Sequence, residues 1–128
     1  MEELKKAALD TIEENKELIA SVADQIWEYA ELSLQEVRSA ALYCKMLKEL
    51  GFAVEEGVCS ISTAFVASYG SGRPIIGILA EYDALSGLSQ LGGSIKKQEL
   101  TPGGTGHGCG HNLLGAGALA AALGIKHY

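Results

Sequence analysis

Residues 75–83 read Ile75-Ile76-Gly77-Ile78-Leu79-Ala80-Glu81-Tyr82-Asp83. The unbroken apolar start, from Ile75 to Ala80, predicts a strand buried on both faces, of the kind found in the sheets of α/β proteins. The run stops abruptly at Glu81 and Asp83, two carboxylates at alternate positions, which project to the same side of an extended chain. The outer ends of buried strands are where α/β sheets bind ligands. Solvated acids that merely terminate a strand would give the same pattern. The reading that follows is an α/β fold with Glu81 and Asp83 beside its site.

Upstream, residues 52–54 and 63–69 are further strand candidates, and Gly70-Ser71-Gly72-Arg73-Pro74 is a turn. Residues 1–50 contain neither Gly nor Pro, so the first third should be helical. Ile12, Ile19, Val22, Ala23, Ile26 and Ala30 recur at helical spacing and would line one face. A second helix is predicted to start at Ser33, with Glu36 completing a capping box and Gly51 ending it. Its expected buried stripe is Val37, Ala40, Ala41, Cys44, Leu47 and Leu50. These helices are scaffold, with Trp27 and Tyr29 in the core or at its rim. Downstream, residues 84–111 form a long Gly-rich polar loop, and such loops inside compact domains tend to be functional. Residues 113–126 then read as a buried helix, rich in Ala and Leu, whose glycines permit close packing and whose N-cap would be Asn112.

The composition is that of an ordinary globular protein, 48% hydrophobic and 20% charged, with no low-complexity segment and no repeat. At 128 residues the chain is one domain or part of one. A formal net charge of −6 argues against sequence-independent nucleic-acid binding. No apolar run approaches the roughly 20 residues of a membrane span, and the charged first ten residues are unlike a secretory leader, so the expectation is cytoplasmic. Cys44, Cys59 and Cys109 are irregularly spaced, which suits a reducing compartment better than a disulfide framework. Cys44 falls on an apolar helical face and reads as a small buried hydrophobe.

Cys109 is different. It stands in Gly106-His107-Gly108-Cys109-Gly110-His111-Asn112, directly ahead of a helix whose N-terminus would favour a thiolate. Cys109 and His111 are one residue apart, so in an extended stretch both can face one cation, and thiolate plus imidazole suits zinc or a similar divalent transition metal. By itself a Cys-x-His pair equally fits a flexible Gly-rich loop with incidental polar residues. Convergence with Glu81 and Asp83 strengthens the metal reading, because hydrolytic metal sites need carboxylates to orient ligands and raise imidazole basicity.

The stretch GILAEYDALSGLSQ (77–90), followed by GHGCGHNLLGAGALAAA (106–122), closely resembles the M-twenty family of metallopeptidases and amidohydrolases, above all its aminobenzoyl-glutamate hydrolase and aminoacylase branch. The N-terminal helices and the hairpin resemble that family's opening too. The resemblance implies the N-terminal part of a zinc-peptidase-like catalytic domain: two helices, β-hairpin strands, a Gly-rich loop and a helix over residues 1–128, with no dimerisation domain. It implies one or two divalent ions, zinc or manganese, held by Cys109 and His111, with Asp83 as the catalytic residue that orients a ligand. Glu81 stands where other branches place a metal-binding His. Glu81, His107 and Asn112 are assigned to the metal's surroundings or the substrate. Ser86 replaces the Pro that usually follows the family's Asp-Ala-Leu, which bears on loop stiffness.

The implied reaction is hydrolysis of an amide bond in an N-acyl amino acid, an aminobenzoyl-glutamate-like compound or a small peptide, by a homodimeric parent. The family's general-base Glu and further ligands lie downstream of the Cys-Gly-His motif, whereas only 17 residues follow His111 here. The expectation is therefore a truncated chain, inactive alone, with His127 exposed and incidental. The alternative is a non-catalytic metal-binding or interaction module. A Cys109 nucleophile with a His base is disfavoured by the nearby acids and by the closeness of His111. Nucleotide binding through Gly115-x-Gly117-x-x-Ala120 is disfavoured because no strand leads directly into it.

Overall fold

The computed structural model describes residues 1–127. The fold is mixed α/β, with four α-helices and a two-stranded antiparallel sheet among the described residues: α1 Glu2–Glu14, α2 Lys16–Tyr29, α3 Val37–Glu49, β1 Ala53–Glu56, β2 Phe65–Ser68 and α4 His111–Lys126. Asn15, at φ −101° and ψ 9°, divides the N-terminal helical stretch into α1 and α2. The hairpin pairs Ala53 with Ser68 and Glu56 with Phe65, close to the two short strands expected there. Gly51, at φ 84°, ends α3 as expected. The amide of Phe52 donates to the Leu47 carbonyl at 2.9 Å and that of Gly51 to Lys48 at 3.0 Å, the paired bonds of a Schellman cap.

The core gathers Val22 and Ile26 from α2, Tyr43, Met46 and Leu47 from α3, and Leu119 and Leu123 from α4. Tyr43, Phe65 and Tyr82 stack beside it with ring centroids 5.4–6.1 Å apart. Small residues let α4 lie close to its neighbours: the nearest atoms to a Cβ built at Gly124 belong to Ile12 and Ala8 of α1, and at Gly115 to Tyr43 and Glu81. Burial of this kind contributes about 25 cal/mol per Å² of apolar surface removed from water, and α4 buries one face through Ala116, Leu119 and Leu123 while Leu113, Leu114 and Ile125 stay exposed.

Three local expectations are corrected. Residues 75–80 are not a doubly buried strand: Ile75, Ile76 and Leu79 are 79%, 62% and 96% exposed, and no named strand includes them. A central strand needs a ladder on each side, and β1 and β2, the strands among the described residues, pair with each other instead. The second helix starts at Val37 rather than Ser33. Glu36 does not close a capping box, because its buried carboxylate accepts the Thr63 hydroxyl at 2.7 Å. The cap comes from Glu31, whose carboxylate accepts the amides of Arg38 and Ser39, both at 2.9 Å. The later start rotates the buried face of α3 to Ser39, Ala40, Tyr43, Cys44, Met46 and Leu47, leaving Val37 and Ala41 outside. Finally, α4 is capped by Gly110 and contains Asn112 in its first turn.

Candidate metal centre

The chain from Glu81 to Leu85 is held on both sides. Tyr82 sends its ring into the aromatic cluster and its hydroxyl to the Thr63 carbonyl. The amide of Ala84, 1% exposed, donates to the Glu31 carbonyl at 2.7 Å, and Ala84 bridges Leu32 in parallel. Leu85 and Gly106 exchange both backbone hydrogen bonds at 3.0 Å. With Tyr82 and Ala84 committed inward, alternation leaves Glu81 and Asp83 on the other side.

The second limb of the site is the Gly-rich segment. Gly106 packs so tightly that a Cβ there would overlap the Leu88 carbonyl. Its next residues turn: the Gly110 amide donates to the His107 carbonyl at 2.9 Å, and Gly110 takes φ 82°. The amides of Leu113 and Leu114 then bond the Gly110 carbonyl at 3.0 Å, starting α4 with His111 as its first residue.

This delivers the His111 ring to the acids. Nδ1 lies 2.9 Å from Asp83 Oδ1 and 3.0 Å from the Asp83 carbonyl, while Nε2 lies 3.4 Å from Glu81 Oε2. A carbonyl can only accept, so Nδ1 carries the proton and Asp83 fixes the ring's tautomer and tilt. Nε2, the other ring nitrogen, faces a carboxylate oxygen, and in a ring that carries a single proton, on Nδ1, it does so with a lone pair. Two electron-rich atoms facing each other are stabilised by a cation between or beside them, and a carboxylate–imidazole arrangement of this form is how metal-binding histidines are oriented. Donor atoms of Glu81, Asp83 and His111 all lie within 4.8 Å of one another. His111 and Asp83 side chains are 17% and 20% exposed and that of Glu81 is 63%, so the group opens to solvent on one side.

The remaining residues singled out in the sequence lie elsewhere. Cys109 is exposed at the third position of the turn from His107 to Gly110 and is not in the three-residue group. The left-handed Gly110 between Cys109 and His111 prevents the extended geometry in which alternate residues share a face. His107 is 4% exposed, with Nε2 donating to the Ile26 carbonyl at 3.0 Å and its ring 6.4 Å from that of Trp27. Burial lowers its pKa, keeping the imidazole neutral. Asn112, also buried, donates from Nδ2 to the Ala23 carbonyl at 3.2 Å. Both side chains tie the site's second limb to α2. Glu31 and Thr105, which brace the two limbs, carry no signal in the sequence, because their partners lie 53 and 75 residues away.

No family profile matches the chain. It is 44% identical, over 128 residues, to a subunit of the p-aminobenzoyl-glutamate hydrolase of Escherichia coli (strain K12), covering 100% of this chain and 27% of that protein. It is 28% identical over 139 residues to Xaa-Arg dipeptidase of Homo sapiens, covering 98% of this chain and 28% of the relative. Identity to thermostable carboxypeptidase 1 of Saccharolobus solfataricus (strain ATCC 35092 / DSM 1617 / JCM 11322 / P2) is 31% over 113 residues, covering 87% and 28% respectively. The chain therefore spans little more than a quarter of the length of the curated relatives it matches.

Proposed function

We propose, for a chain related along its whole length to the M-twenty metallopeptidases and amidohydrolases, that it forms part of the metal centre of an amide-cleaving enzyme. The reaction is hydrolysis of an N-acyl amino acid, an aminobenzoyl-glutamate-like amide or a small peptide. The observation that carries this reading is the His111 ring, pinned through Nδ1 by Asp83 and aimed through Nε2 at Glu81.

The residues that would hold a divalent ion, zinc or manganese, are His111 through Nε2 and Glu81, with the Cys109 thiol offered from the adjoining turn. When bound, such an ion polarises an amide carbonyl and lowers the pKa of a water. Asp83 keeps the proton on Nδ1 and so keeps the Nε2 lone pair available. His107 and Asn112 hold the Gly-rich limb and the start of α4 against α2. A homodimeric, cytoplasmic parent completes the proposal; no helix among the described residues is long and apolar enough to cross a membrane.

Calorimetric titration of the 128-residue chain with Zn²⁺ or Mn²⁺ tests this. One saturable site is expected, abolished in His111→Ala and weakened about 10- to 100-fold in Asp83→Asn, the usual cost of losing a group that orients a ligand. A wild-type chain that binds neither ion would refute the metal reading.

A further inference from the structure

The last carbonyls of a helix have no partners within it and must find donors elsewhere. At and just beyond the end of α2, backbone carbonyls take donors from the candidate site. Ala30, the left-handed cap of α2 at φ 43° and ψ 44°, presents its carbonyl to the Thr105 hydroxyl at 2.6 Å. The next carbonyl, of Glu31, accepts the Ala84 amide at 2.7 Å. One turn earlier, the Ile26 carbonyl, which already accepts the Ala30 amide at 3.1 Å, also accepts the His107 ring at 3.0 Å. Both limbs of the site thus converge on a single corner: the limb that carries Asp83 and the limb that leads to His111.

Of these ties, the Thr105 hydroxyl has a distinct place. It adjoins Gly106, the residue that exchanges paired backbone bonds with Leu85, and it precedes the turn from which His111 enters α4. Gly106 leaves no space for a side chain, because the Leu88 carbonyl occupies the place a Cβ would take. Thr105 on one limb and Ala84 on the other are held by the successive carbonyls of Ala30 and Glu31, so loss of the Thr105 hydroxyl loosens the spacing between the limb that leads to His111 and the limb that carries Asp83.

We infer that Thr105 is a positioning residue, a latch that sets the distance between the His111 ring and the two carboxylates by anchoring the Gly-rich limb to the end of α2. The inference rests on the cation-site reading for its ligand, and on the His111–Asp83 hydrogen bond for its geometry. Thr105→Val keeps the side-chain shape and removes the hydroxyl; Thr105→Ser keeps the hydroxyl.

Two readouts are taken on the full chain and on both variants. The first is Zn²⁺ affinity by calorimetry. The second, in metal-free protein, is the His111 Nδ1–H signal in imidazole ¹H–¹⁵N spectra. Thr105→Val is expected to bind Zn²⁺ about 10-fold more weakly and to lose the Nδ1–H signal, while Thr105→Ser stays within about 3-fold of wild type and keeps it. Unchanged affinity and an unchanged signal in Thr105→Val would overturn the inference. So would loss of helical circular dichroism in that variant, since the latch would then be a support of the whole fold. A wild-type chain that ignores Zn²⁺ overturns the cation reading alone. The Nδ1–H comparison still decides whether Thr105 positions His111.

Discussion

Glu81, Asp83 and His111 meet because two unrelated local patterns end at one point, and each pattern is visible in the sequence. Alternation places the two acids together, and the glycines around His111 free the chain to bring the imidazole to them. Spacing alone groups the Cys109 thiol with His111, and spacing carries no information about a left-handed glycine between them. Close packing around two other glycines is equally hidden. A Cβ at Gly115 would overlap the Tyr43 hydroxyl, the far end of a side chain, whereas one at Gly106 would overlap a backbone carbonyl. Gly115→Ala is expected to cost about 1–3 kcal/mol, as overpacking usually does. Gly106→Ala is expected to cost more, because backbone cannot swing aside. Urea denaturation of the two variants checks the order, and equal stabilities would show that the Leu88 carbonyl yields.

At the scale of elements, the helices and the hairpin are readable, whereas the strand expected at residues 75–80 is absent and the start of α3 is displaced. The hairpin, the Gly51 stop and the apolar α4 follow from propensity, turn chemistry and hydrophobicity, each within a few residues of its observed place. The start of α3 does not, because two acids, Glu31 and Glu36, stand close enough to cap it. Which one does so depends on Thr63, 27 residues from Glu36, which takes the Glu36 carboxylate. Glu31→Ala should destabilise the chain by about 0.5–2 kcal/mol through loss of the α3 cap. Glu31→Gln, which keeps an acceptor, should lose less. Thermal melts of both variants against wild type measure the difference; a Glu31→Ala chain as stable as wild type would mean that the two amides find equal partners in water.

Taken as a whole, the fold is α/β, and among the described residues the two strands pair with each other and leave residues 75–80 uncovered. Their apolar character is legible in the sequence and their exposure is not, since burial is a property of neighbours and not of the run itself. Two-stranded sheets are marginal without further packing, and an uncovered apolar segment favours association between molecules. Sedimentation velocity at rising concentration is expected to show self-association of the chain, reduced in the double variant Ile76→Lys, Leu79→Lys. A chain that stays monomeric throughout would show that this segment is innocuous in solution.

The short stretch from Glu81 to Ala84 serves two masters with alternate side chains, aromatic and small ones turned inward, charged ones turned out. Sliding it by a single position would push two carboxylates among the stacked rings and expel Tyr82 into water, so intermediate settings are forbidden. Ligand geometry and interior packing are consequently cut from one piece. A lesion that spoils the first by slippage must also cost the second, and mutations that impair the acids while leaving the melting behaviour intact have to act on chemistry rather than on placement.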